Sequence, residues 1–492
     1  MKKTYRHLSL MILCCSIFVS CQNKEQLSTT PNILFILADD LRADAIGANG
    51  NPIIKTPHID NIITGGYSFN NTYCMGSHHG AVCAPSRSMM LTGKSLNHVY
   101  ADLDTVEILP QFLQKQGYTT FATGKYHTDF YKRTSRDFKG WDVGKNVMFG
   151  GMSDHYQVPV QDQIAYDTFT PKLIKGFSSE LFTDAAVDFI SGHEAESGDP
   201  FYAYISYTAP HDPRTPPDRF MDLYEGKDMN LPANFKPIHP FHTGWMTGRD
   251  EILTGWPREE SVIKDQIAEY YGLISHMDEQ IGRVIDALKN SGHYENTIII
   301  FAADHGLAMG SHGLLGKQNL YEHSMKAPLA IMGPDIPAGK STDAFVYLLD
   351  LFGTIMDFAG ADRKWNRESL VLSDAWQTSD FAGREYMFTT YEDIQRAVRV
   401  GDWKLIRYPK IHHNQLFNLT EDPHELTNLA EDKSYQSKVE ELMKVMQAAQ
   451  EKYNDPHPLT AAKKESMEFD PSGFVRKVDR HQPEWVVKKY FN

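Results

Sequence analysis

The chain has 492 residues, 41% of them hydrophobic, and a formal net charge of −14 at pH 7. That length suits a large α/β body with an appendage, and the apolar fraction suffices for a sizeable core. The acidic balance opposes binding to nucleic acid or to an anionic membrane face, and any anionic ligand must meet cations gathered in one pocket.

The N-terminus reads as an export signal: Lys2, Lys3 and Arg6, an apolar run over 8–19, then Ser20-Cys21. The run is too short to stay in a bilayer as a spanning helix. A small residue followed by Cys after such a run is similar to a bacterial lipobox, with Cys21 as the lipid-bearing first residue, although Phe18 stands where Leu is usual. We therefore expect a signal over 1–20, a tether over 21–31, and a periplasmic or outer-membrane, cell-surface location whose only membrane contact is the lipid anchor. Of the five cysteines, Cys14, Cys15 and Cys21 belong to this segment. Cys74 and Cys83 alone are left, so no disulfide framework is expected, and pairing of these two with each other stays open.

Asn32-Ile33-Leu34-Phe35-Ile36-Leu37-Ala38 has the continuous apolar character of a central parallel strand, and it ends in Asp39-Asp40. Open α/β sheets place ligands at the carboxyl ends of their strands. Two adjacent carboxylates repel unless a cation lies between them, and hard oxygens suit Ca²⁺ or Mg²⁺; a solvated turn is the alternative. Thr56-Pro57-His58-Ile59-Asp60 follows, and then Cys83-Ala84-Pro85-Ser86-Arg87-Ser88-Met89-Met90-Leu91-Thr92-Gly93. Pro fits the first turn of a helix, which puts Cys83 at a helix N-terminus where partial positive charge favours an anion. Arg87 lies one turn further on.

Residues 109–116 read as a helix and 118–122 as a strand, with Gly124-Lys125-Tyr126-His127 directly after. Lys125 and His127, two apart in extended chain, point the same way. Residues 129–180 show no clear periodicity. The strand over 201–207 ends in Thr208-Ala209-Pro210-His211-Asp212-Pro213, and a loop over 212–260 is long enough to form a wall of a cleft. Trp141, Trp245 and Trp256 are candidate sugar platforms or core anchors, and Arg214, His242, Arg249, His412 and His413 are candidate sugar contacts on position alone. An amphipathic helix over 262–289 carries Asp278. Thr297-Ile298-Ile299-Ile300-Phe301-Ala302-Ala303 is a second buried strand ending in Asp304-His305-Gly306, and Gly316-Lys317-Gln318-Asn319-Leu320-Tyr321-Glu322 follows. Beyond it we expect an amphipathic helix over 344–359, strands over 384–391, 395–408 and 414–419, and a helix over 434–453. The tail over 455–492 receives no assignment.

The segment around Cys83 resembles the signature of the type I sulfatases of the alkaline phosphatase-like superfamily, and the other motifs quoted above arrive in that family's order. Thr56 to Asp60 and Glu421-Asp422-Pro423-His424-Glu425-Leu426-Thr427-Asn428-Leu429 are similar to further scaffold segments of the family. The resemblance implies a large, mostly parallel mixed sheet sandwiched by helices over 32–375, then a smaller antiparallel sheet with one helix over 376–492. It implies that a formylglycine-generating maturation enzyme oxidises Cys83 to an aldehyde, whose hydrate attacks sulfur and then expels sulfate by collapsing back. Asp39, Asp40, Asp304, His305 and residue 83 would hold one Ca²⁺, with His305 where many members carry Asn. Arg87, Lys125, His127, His211 and Lys317 would hold the sulfate, poise the nucleophile and assist the leaving alcohol. The expected substrate is a sulfated carbohydrate attacked at a terminal sugar. A phosphate or phosphonate ester hydrolase and a non-catalytic glycan-binding lipoprotein are the alternatives.

Overall fold

The computed structural model describes residues 30–101, 105–128, 138, 140–165, 168–193, 199–365 and 367–491. The export signal, and the tether up to residue 29, lie outside the described residues.

In chain order the strands are β1 (Asn32–Ala38), β2 (Tyr67–Tyr73), β3 (Gly76–Ser77), β4 (Thr119–Lys125), β5 (Val143–Met148), β6 (Gln157–Ala165), β7 (Thr168–Lys175) and β8 (Phe201–Ser206). They continue as β9 (Thr297–Ala303), β10 (Lys326–Ala327), β11 (Leu329–Met332), β12 (Lys340–Tyr347), β13 (Met387–Tyr391), β14 (Gln395–Val400), β15 (Trp403–Tyr408) and β16 (His413–Asn418). An eleven-stranded sheet runs β10-β2-β11-β9-β1-β8-β4-β5-β6-β7, with β12 also on β2. The α/β architecture with one large mixed sheet and a smaller second sheet is as expected. Its parallel part is narrower than expected, being the central run β9-β1-β8-β4-β5 plus the β12–β2 pair. The other pairings are antiparallel.

All seven residues of β1 are buried, because its two faces feed two cores. Ile33, Phe35 and Leu37 face one, with Met89 and Leu91 of the Cys83–Thr92 helix; Leu34, Ile36 and Ala38 face the other, with Ile263, Ile274, Ile281 and Leu288 of the Glu260–Asn290 helix. Each of these Ile, Leu, Met and Phe side chains contributes about 1.5–3 kcal/mol when fully buried. The two helices thus clamp the same strand from opposite sides.

Parallel register brings the strand ends to one edge. Ala38 lies opposite Ala303, Leu37 opposite Ser206, and Gly124 opposite Ser206. Backbone bonds continue past the strands: Asp39 N–H donates to the Ala209 carbonyl at 3.2 Å and Asp304 N–H to the Ala38 carbonyl at 3.2 Å. Asp39, Asp304, Lys125 and the turn after Ser206 are therefore neighbours by construction.

Three expectations about elements change. Residues 129–180 include β5, β6, β7 and the start of a helix, Ser178–Gly192; their weak periodicity reflects a ribbon exposed on both faces along β7. The expected helix over 344–359 is instead β12 followed by the Asp350–Phe358 helix. Asp350 ends the strand by accepting the Tyr347 N–H at 2.8 Å, and β12 finds partners along β2. The strand over 395–408 is a hairpin, β14 and β15, turning at Gly401-Asp402.

The small sheet, β16-β15-β14-β13-β3, takes its edge strand β3 from the segment just before Cys83, with Thr390 opposite Gly76. The Gln436–Lys452 helix covers it through Val439, Leu442 and Met446.

Candidate active site

Cys83 opens its helix, and Gly93 closes it in the left-handed region with its N–H on the Met89 carbonyl. The whole helix is buried. Cys83 and Cys74 are both free thiols, so the pairing left open by the sequence does not form. Cys83 Sγ lies 3.3 Å from His127 Nδ1 and 3.5 Å from Lys125 Nζ. Burial pushes this thiol up, but Lys125, His127 and Lys317 outweigh burial and hold it well below the usual range. Cys74, by contrast, is pushed up by burial to about 12.

Lys125 reaches this point because Gly124 brings β4 close against β8. At φ +85, a Cβ on Gly124 would meet the Ser206 carbonyl at 1.9 Å. Lys125 Nζ also pairs with Asp39. Arg87, fully buried, donates from Nε to Asp304 Oδ2 at 3.1 Å and from Nη1 to the Lys125 carbonyl at 2.7 Å, to Tyr204 Oη at 3.3 Å and to Ser206. Its Nη2 is 3.0 Å from Asp304 and 3.6 Å from Asp39. Tyr204 and Ser206 drew no attention in the sequence; their place at the end of β8, beside two acid-tipped strands, is the signal that marks them.

Asp40 adopts φ 65, a strained backbone for a non-glycine residue. It is held there by its N–H on Asp304 Oδ1 at 3.2 Å and by Tyr270 Oη donating to its carbonyl at 2.7 Å. Lys317 Nζ grips its carboxylate at 2.8 and 3.0 Å. Burial nevertheless raises Asp40 to about 7, with Lys317 opposing. His305 Nε2 stands 3.5 Å from Asp40 and 3.6 Å from Asp304. Burial opposes its charge, but Asp304, Cys83 and Asp40 raise it to about 9. His211 Nε2 lies 3.8 Å from Asp40, while its Nδ1 donates to the Asp212 carbonyl at 2.8 Å. All ten residues predicted from the sequence thus come together in one cluster, buried except for a half-buried His127.

The acidic side of the pocket suits a cation. One donor atom each from Asp39, Cys83, Asp304 and His305 lie within 4.8 Å of one another. Among the described residues, Asp39 Oδ1 and His305 Nε2 are buried without a hydrogen-bond partner, the kind of orphan that calls for an ion. Carboxylate oxygens with one imidazole fit a divalent cation. Asp40 stands outside that tightest group and leans toward Lys317.

Most of the sugar-contact candidates are otherwise engaged. Trp141 is 1% exposed and sits in an aromatic core with Tyr126 and Tyr202. Trp256 packs on Phe469 and Phe474. Arg249 spends its guanidinium on Asp212, Asp250 and Asp479, and His412 Nε2 is taken by the Ala461 carbonyl. Arg214 is buried against Gln266, His413 edges against Phe241, and His242 packs beside Phe469. Trp245, half-buried beside Tyr391 and close to Gly80, keeps an exposed part. Position along the chain does not report which side chains fold inward.

A family model of sulfatases matches residues 31–361. The chain belongs to the sulfatase family. A second model, the C-terminal part of N-sulphoglucosamine sulphohydrolase, matches residues 310–452. The sulfatase chain is 28% identical to an arylsulfatase of Clostridium perfringens, over 87% of this chain and 97% of that one. It is 26% identical to an N-acetylglucosamine-6-O-sulfatase of Bacteroides thetaiotaomicron, over 91% of each. In fold it is similar to a structure solved with its substrate D-glucosamine-2-N,6-O-disulfate (TM-score 0.73, 23% identity, 87% of this chain and 99% of that one). It is also similar to a phosphonate monoester hydrolase of Agrobacterium radiobacter (TM-score 0.69, 20% identity, 86% and 96%). This sulfatase is accordingly a sulfuric ester hydrolase on the alkaline phosphatase-like fold.

Proposed function

We propose that this enzyme removes sulfate from a sulfated glycan, acting at a terminal sugar, with Cys83 working as formylglycine beside one Ca²⁺. The observation that carries the reading is the position of Cys83 Sγ, at a helix N-terminus, 3.3 Å from His127 and 3.5 Å from Lys125, opposite Asp39 and Asp304. The sugar as substrate is supported by the names of relatives, an N-acetylglucosamine-6-O-sulfatase among them, and by the disulfated glucosamine in the similar structure.

The chain's own residues do the following. Lys125, Lys317 and Arg87 offset the charge of a sulfate in an otherwise acidic protein; at an effective dielectric of about 20, each such pairing near 4 Å is worth roughly 4 kcal/mol. Only the part that grows as charge moves to the leaving oxygen speeds the reaction. His127, within hydrogen-bond reach of residue 83, orders that residue's polar end. His211 presents Nε2 to the pocket as the contact for the leaving oxygen. The aldehyde hydrate at 83 would supply the attacking oxygen. Asp39, Asp40, Asp304 and His305 would hold the cation, which would supply positive charge beside the sulfate.

Export as a lipoprotein anchored at Cys21, and conversion of Cys83 by a maturation enzyme on the way out, belong to the same reading. The test is a desulfation screen on sulfated mono- and disaccharides with matched phosphate esters, with Cys83→Ala as the blank and intact-mass analysis of residue 83. Sulfate release that vanishes in the blank supports it. Faster turnover of the phosphate esters, or an unconverted thiol with no turnover, overturns it in favour of a phosphoesterase or a glycan binder.

A further inference from the structure

The segment after residue 455, unassigned by the sequence, packs along the 212–260 loop and ends on the Glu260–Asn290 helix. The Met467 carbonyl accepts the His242 N–H at 2.8 Å. Phe469 and Phe474 meet the Trp256 ring with centroids 5.6 and 5.7 Å away. Lys489 Nζ and Tyr490 Oη donate to Glu269 Oε1 at 2.9 and 2.6 Å. Between these anchors the segment touches the pocket's own framework. Gln482 Nε2 donates to Asp212 Oδ2 at 2.7 Å, and Asp479 Oδ2 accepts Arg249 Nε at 3.1 Å.

Asp212 is the hub. It is 5% exposed, and Arg249 forks onto its two oxygens at 2.5 Å each. Its Oδ1 is 3.3 Å from His211 Nδ1, and its own carbonyl accepts that nitrogen's proton at 2.8 Å. A carboxylate with three N–H donors already aimed at it has one favoured orientation, and the imidazole beside it has one favoured tautomer and ring angle.

We propose that Asp212, Arg249, Asp479 and Gln482 form a positioning network for His211, which makes the C-terminal segment part of the active site. This rests on the reading of His211 as the contact for the leaving oxygen. Asp212 turns the ring so that Nε2 faces the pocket; Arg249 holds Asp212; Gln482 and Asp479 hold the carboxylate and the guanidinium from outside. Removing the outer pair leaves Arg249 on Asp212 and Asp250 alone and the Asp212 carboxylate without its Gln482 donor, which loosens the support behind His211 without emptying the site of any group that touches sulfate.

The experiment uses the full-length, converted enzyme and an Asp479→Ala/Gln482→Ala variant. Two substrates are compared: 4-nitrophenyl sulfate, whose leaving oxygen needs little help, and a sugar sulfate that the parent turns over. A positioning role predicts that kcat on the sugar ester falls at least about tenfold while the aryl ester changes less than about threefold, since assistance to a poor leaving group is worth on the order of 10²–10⁴. KM and melting temperature should stay near the parent's. In a His211→Ala background the outer variant should cost nothing more, because a network acting through His211 has nothing left to position. Equal losses on both esters, or an undiminished loss in the His211→Ala background, overturn the network while leaving the sulfatase reading intact. A parent that turns over neither ester overturns both.

Discussion

Replacing Arg87 by Lys keeps the charge and tests whether geometry matters more. Arg87 serves partners in several directions: Asp304 through Nε and Nη2, and the Lys125 carbonyl, Tyr204 and Ser206 through Nη1. An ammonium on a shorter stem is a single point and cannot span that fork. If it stays on Asp304, the Lys125 carbonyl and the two hydroxyls lose their donor in a site with no exposure. Each buried polar group left unsatisfied costs about 1–3 kcal/mol, and a broken buried ion pair costs about 3–5 kcal/mol. We expect Arg87→Lys to lose about 3–5 kcal/mol in urea unfolding followed by tryptophan fluorescence. Because the same fork sets the place of Lys125 and Asp304, kcat/KM should fall about 100-fold or more, the size of effect that a displacement near 1 Å produces. A variant within about 1 kcal/mol of the parent and within about threefold in kcat/KM would refute the claim that this fork organises the pocket.

Three further outcomes follow from other parts of the structure. Gly93→Ala should lose roughly 1–2 kcal/mol from its left-handed backbone and about 1–3 kcal/mol more from a Cβ placed 2.7 Å from Phe352, whereas Gly50→Ala, with open space around it, should lose only the backbone part in calorimetry. Asp278 accepts the N–H groups of His58 and Ile59, and burial raises it to about 7 despite them. A folded pKa above the unfolded one means the folded state holds the extra proton, so stability is full at low pH and declines as pH rises from about 4 through about 7. Asp278→Asn should therefore gain melting temperature relative to the parent across that window, and a flat difference would count against the raised carboxyl. Removing divalent cations with a chelator should lower the melting temperature and added Ca²⁺ should restore it, by about 2.7 kcal/mol at a hundredfold excess over Kd. Asp304→Asn should abolish that response, and a persisting response would place the cation elsewhere.

The candidate site was legible because its residues cluster at strand and helix ends, in segments that resemble those of the sulfatases. Asp39-Asp40, Asp304-His305 and Lys125 could be read as tips of buried strands, and the Pro-bearing helix start marked Cys83. The small sheet's hairpin was less legible, since Gly401-Asp402 sits inside an otherwise continuous run of strand formers. Residues 344–359 misled because one apolar stretch supplies the end of β12 and then a helix, and the break is set by Asp350 bonding back to Tyr347. The sugar platforms were the weakest expectation: an aromatic side chain suits a core and a sugar equally well, and Trp141 went to the core.

Sequence alone picked out the groups that the fold gathers, because adjacent carboxylates, a helix-opening cysteine and strand-end cations stand out in residue type and local spacing, and the roles expected of them came from the resemblance of their segments to the sulfatases. Only the tertiary structure decided who stands behind them. Gln482 meets Asp212 across 270 positions of chain, and Arg87 meets Ser206 across 119. Such pairs leave no local periodicity, since they arise from the order in which strands assemble and from the need of every buried charge for a partner.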